Sequence, residues 1–75
     1  MLKDRELNKV RYMVVCVNEF ADRLNINGKE AFNYLNKHKA INFLLNNYEI
    51  EHTLSIDEAV DDMVIVSKNN GGTIQ

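Results

Sequence analysis

Leu7, Val10, Val14, Val17, Ala21 and Leu24 recur at steps of three and four residues. That spacing places them on one side of an α-helix, and Met13, Cys16 and Phe20 widen the apolar side to about half the circumference. A stripe this wide predicts a long helix packed by several neighbours. Asp4 is the expected N-cap, with Leu7 entering the core. The stretch "LNING", residues 24–28, ends the helix, because Asn and Gly favour a turn.

Helical signals continue downstream. Asn27 and Glu30 stand at capping-box spacing and predict a second helix with Ala31, Phe32 and Leu35 on its buried side. "NKHK", residues 36–39, breaks that pattern, and Ile41, Leu44, Leu45 and Tyr48 mark a short third helix. Residues 49–54 read as extended or irregular. Ser55 and Glu58 repeat the capping-box spacing and open a fourth helix, with Ile56, Ala59, Val60, Met63 and Val64 inward and Asp57, Glu58, Asp61 and Asp62 outward. Lys68 suits the negative helix end, and "NNGG", residues 69–72, stops it. The tail after Gly72 is expected to be mobile. With no repeat or linker, residues 1–75 form a single domain. The expected architecture is all-α: a compact bundle of about four helices, one long and N-terminal, two short and central, one C-terminal.

A chain of 75 residues buries only about 60% of its unfolded surface and needs tight packing or association to be stable. Cys16 is the single cysteine, so there is no internal disulfide and no Cys/His framework for zinc. The usual staples of a mini-domain are therefore missing, and neither a metal nor another cofactor is expected. A hydrophobic content of 45% excludes a disordered chain. No stretch approaches a membrane span, so a cytoplasmic protein is expected. The net charge of −2 is unevenly spread. Residues 1–39 hold eight Lys/Arg and five Asp/Glu, whereas residues 40–75 hold one and six. Such asymmetry steers partners or biases self-contact.

The stretch "YEIEHTLSIDEAVDDM", residues 48–63, concentrates polar chemistry. Asp57 and Glu58 favour the positive end of a helix, and Asp61 and Asp62 continue the same solvated side. Four carboxylates spread over an arc of one helix do not converge as a divalent cation requires. His52 precedes Thr53 in a turn with few apolar anchors. Hydrogen bonding within that turn, near Tyr48 or the start of the fourth helix, is the expected role, with partner contact the functional alternative. A general base would need a nucleophile and an orienting acid, and Ser55 is committed as a cap. No catalytic residue is assigned. Cys16 reads as a small core hydrophobe, and His38 as an exposed helix-end residue.

"ADRLNINGKEAFNYL", residues 21–35, resembles the helix-turn-helix of DNA-binding repressors. Lys29, Asn33 and Lys37, with Asn36, are then the candidates to face phosphates or bases. Any helical corner needs Leu24 and Ile26, however, and the chain is acidic with no arginine after Arg23. Nucleic-acid binding stands as the second reading.

"CVNEFA" (16–21), "GKEAFNYL" (28–35) and "YEIEHTLSIDEAVDDM" (48–63) resemble a family of small bacterial proteins called Domain of Unknown Function 3791. The likeness spans about residues 10 to 66, and His52-Thr53 after Tyr48 is its most distinctive part. Glu51 stands where the resemblance leads one to expect an apolar residue in many members. The resemblance implies no reaction. It implies a protein partner, because such genes often neighbour those of ADP-ribosyltransferase-like proteins, and hence an accessory or antitoxin-like role.

The expectation is therefore a non-enzymatic interaction module. Its candidate partner-binding residues are Tyr48, His52, Thr53, Ile65 and Val66. "MVIV", residues 63–66, covers most of its helix's circumference with apolar groups, and Val15 does likewise on the polar side of the first helix. A homodimer, or the unknown partner, is expected to cover them.

Overall fold

In the computed structural model, which describes residues 3–73, the chain forms five helices. They are α1 (Asp4–Leu24), α2 (Gly28–Lys37), α3 (Ala40–Asn46), α4 (Tyr48–Glu51) and α5 (Ile56–Asn69). The four longer ones are the expected bundle, and no strand occurs among the described residues. Local chemistry sets most of the boundaries. α1 ends in a Schellman turn: Asn25 takes the left-handed conformation, and the Asn25 and Ile26 amides donate to the Asp22 and Ala21 carbonyls. Two residues later the Asn27 side chain accepts from the Glu30 amide at 2.8 Å and starts α2. Ser55 and Glu58 close the same reciprocal box at the start of α5.

Phe20, Leu35, Leu44, Val60 and Met63 fill the centre, drawn from α1, α2, α3 and α5. Phe20 stacks on the Tyr34 ring at 5.8 Å between centroids, tying α1 to α2. Arg23 reaches from the end of α1 to the Asp61 carboxylate at 2.7 Å and the Asp57 carbonyl at 3.0 Å, tying α1 to α5. Those groups are largely exposed, so the clasp orients the helices more than it stabilises them.

Several sequence expectations change. The N-cap of α1 is Lys3, with Asp4 as the first helical residue, and no side chain caps that end. The third helix stops at Asn46, because the Asn47 amide group bonds back to the Phe43 carbonyl. Tyr48 therefore opens α4, where an irregular segment was expected. His38 is half-buried rather than exposed: its Nδ1 bonds to the Asn70 carbonyl at 3.0 Å and joins the ends of α2 and α5.

The α1 stripe is covered over only part of its length. Val17 and Ala21 are buried and Leu24 half-buried, but Val10 and Val14 are exposed and Leu7 only half-buried. A helix of 21 residues is about 32 Å long, close to the molecule's 34 Å longest extent. The first half of α1 thus outreaches the helices that pack on its second half. Of "MVIV", Met63 is buried, Val64 and Val66 are half-buried, and Ile65 is exposed, as is Val15. The mobility expected of the tail concerns, beyond Thr73, residues outside those described.

Candidate functional site

The α3–α4–α5 corner gathers the polar residues of the most distinctive sequence stretch. α4 is one helical turn, begun when the Glu51 amide bonds to the Asn47 carbonyl at 2.8 Å. At its end the Thr53 hydroxyl donates to the Ile50 carbonyl at 2.6 Å. His52 Nδ1 lies 2.6 Å from the Tyr48 carbonyl. A carbonyl only accepts, so Nδ1 carries the proton. The His52 ring also stacks on Tyr48, 4.5 Å between centroids and 9° between planes. Tyr48 meets Tyr12 of α1 edge-on at 5.5 Å, and the Lys9 ammonium sits 5.9 Å over the Tyr48 ring. Arg5 pairs with Glu49 on the same side. Tyr48, His52 and Thr53 are thus brought together by local bonds, with His52 and Thr53 exposed on a fixed turn and Ile50 exposed between them.

Beneath the turn lies a group that the sequence pattern hid. Glu51 is buried, and its Oε1 has no hydrogen-bond partner among the described residues. Burial, reinforced by a hydrogen bond and by charge repulsion from Asp62 on α5, pushes its carboxyl up to about 7. Tyr12 donates its hydroxyl to the Glu51 main-chain carbonyl at 2.9 Å. Burial also raises the Tyr12 phenol and the Cys16 thiol one turn further along α1; a hydrogen bond with Tyr12 partly offsets the rise at Cys16.

The cluster of Tyr12, Cys16, Glu51 and Asp62 has the residue types of a nucleophile with acids beside it, but not the poise. Cys16 is fully buried and its thiol is held protonated, whereas a nucleophilic cysteine needs exposure and a lowered pKa. No cavity opens among the described residues, and no group of three metal-ligating side chains converges there. None of the described helices is long and apolar enough to cross a membrane.

The remaining candidates lie elsewhere. Lys29, Asn33, Asn36 and Lys37 are all exposed, and their spacing gives them one side of α2. Arg23, at the same corner, is turned into α5. Ile65 is exposed on α5 and Val66 half-buried beside it, on a different helix from the α4 turn.

A family model described as "Protein of unknown function (DUF3791)" matches residues 11–70. No curated protein and no solved structure matches the chain.

Proposed function

The chain belongs to the DUF3791 family, proteins of unknown function, and from that premise we propose a non-enzymatic accessory module that docks a protein partner on the α4 turn. The observation that carries the reading is Ile50. It is 66% exposed on a turn whose neighbours His52 and Thr53 are already locked by hydrogen bonds. An aliphatic anchor on a preorganised turn loses little freedom on binding, which is what a recognition surface requires. The buried, protonated Cys16 supports a structural role for the cluster below.

The family resemblance nominates an ADP-ribosyltransferase-like neighbour as the first partner to test, with an antitoxin-like role. Titration calorimetry against such a protein should show saturable binding. Ile50→Glu should weaken it at least about tenfold, or about 1.4 kcal/mol, with the helical signal unchanged. Binding that ignores Ile50→Glu, Thr53→Ala and His52→Ala alike would remove the α4 turn as the site. The second reading, a helix-turn-helix regulator, draws on the shared exposed side of Lys29, Asn33 and Lys37. A sequence-dependent shift of duplex DNA at low salt, lost in Lys29→Ala and Asn33→Ala, would favour it instead.

A further inference from the structure

Leu7, Val10 and Val14 continue the stripe whose second half, Val17 and Ala21, is sealed by the bundle. Val10 is 38% and Val14 46% exposed. Steps of three, four and three residues are the spacing of a coiled-coil seam, so the stripe has a pattern that another helix can occupy. It lies on α1, apart from the α4 turn.

We propose that the first half of α1 pairs antiparallel with the same segment of a second copy across a two-fold axis. Three observations converge on that occupant. The seam is short, about three turns from Asp4 to Val14, and therefore suits a matching short segment better than a long helix. Its flank carries Asp4 and Arg11, seven residues apart, both exposed and neither in an ion pair among the described residues. A register that sets Val10 against Leu7 of the second copy also brings Asp4 of each copy beside Arg11 of the other. This follows because the flank trails the seam by one position on one helix and leads it by three on the other. The surface is thus complementary to itself in charge, as an isologous contact must be. Finally, antiparallel pairing keeps the two bundles at opposite ends of the seam. Parallel pairing would bring them together at the same end, where α1 is already covered.

The contact is at the small end of stable interfaces, so it is a concentration-dependent dimer. Sedimentation velocity from about 5 to 500 µM should show the mass of the unmodified chain rising toward that of a dimer. Val10→Glu, which sets a carboxylate against Leu7 of the second copy, should stay monomeric throughout, with its helical signal intact because Val10 is exposed. Arg11→Asp should weaken association roughly tenfold by turning two attractions into two repulsions, and adding Asp4→Arg should restore it. High salt should narrow the difference between these variants. A monomer over the whole range overturns the proposal. So does a dimer that survives Val10→Glu and is dissociated by Ile65→Glu, which places the interface on α5. Rescue of Arg11→Asp by Glu6→Arg instead of Asp4→Arg indicates parallel helices and overturns it too. Ile50→Glu should leave the dimer unchanged, so the outcome is independent of the α4 turn.

Discussion

The Tyr12 hydroxyl donates to the main-chain carbonyl of Glu51 across 2.9 Å and 39 residues of sequence. With the Arg5–Glu49 pair it fastens the α4 turn to the long helix, and the edge-on contact of Tyr12 with Tyr48 backs it. Tyr12→Phe keeps the ring and removes the donor. The carbonyl it served then loses its side-chain partner, and the cost should be about 1 kcal/mol. In a domain of this size that lowers the melting temperature by roughly 4–8 °C, readable by circular dichroism. An unchanged midpoint would mean that water replaces the hydroxyl at no cost.

Glu51 gives the fold a pH dependence of defined sign. Its carboxyl is pushed up to about 7, against 4.5 for the free group. Between those values the folded chain holds a proton that the unfolded chain has released. Stability therefore falls as pH rises through the window, as the folded chain is made to give up that proton. Below the window both states are protonated, and above it both are ionised, so this contribution is flat on either side. Glu51→Gln mimics the protonated form and should remove the slope. Urea titrations at about pH 5, 6, 7 and 8 should show the variant gaining on the parent at the alkaline end. Parallel curves for the two chains would show that Glu51 is ionised in the folded state.

Why Glu51 escaped the sequence reading while Ser55 did not is a matter of range. A capping box is complete within four residues, so Asn27 with Glu30 and Ser55 with Glu58 declare themselves wherever the chain goes. The burial of Glu51 depends on Tyr12 and Asp62, which are remote in sequence, and polar residues are ordinarily assigned to the surface. The α1 stripe shows the opposite failure. Its period correctly specifies a helix from Leu7 to Leu24, but period alone does not say how far the neighbours reach, so Val10 and Val14 read as core and stand in solvent. The stacking of His52 on Tyr48 lies between these cases: the sequence puts His52 near Tyr48 or the start of the fourth helix, and the helical turn that aligns the pair reads there as irregular.

That pair separates a structural from a recognition role. His52→Ala removes the Nδ1–H bond to the Tyr48 carbonyl and the ring stacked on Tyr48. Because the ring is exposed, the expected loss is about 1 kcal/mol. His52→Asn, which can still donate to that carbonyl, should recover part of it. Thermal melts of the three chains, run beside partner titrations, separate the roles. A falling melting temperature marks the turn's own need for the ring, whereas full stability with lost binding marks a direct contact.

The C-terminal end of α5 supplies the last prediction. Gly71 takes a φ of 90°, and the Gly71 and Gly72 amides donate to the Lys68 and Ser67 carbonyls, closing a second Schellman turn. Gly72 then passes directly against α2. A Cβ built on it would sit 2.2 Å from the Tyr34 hydroxyl oxygen and 2.8 Å from the Ser67 carbonyl oxygen. The tyrosine can swing aside only by disturbing its stack on Phe20 and its contact with His38. The carbonyl belongs to the helix and cannot move alone. Gly72→Ala should therefore force the end of α5 away from α2 and cost about 1–3 kcal/mol, the range of overpacked sites. Tyr34→Phe in the same chain should return part of that loss by removing the nearest atom. Urea midpoints of the single and double variants decide the matter: equal midpoints for parent and Gly72→Ala would mean that the chain beyond Asn70 is not seated against Tyr34.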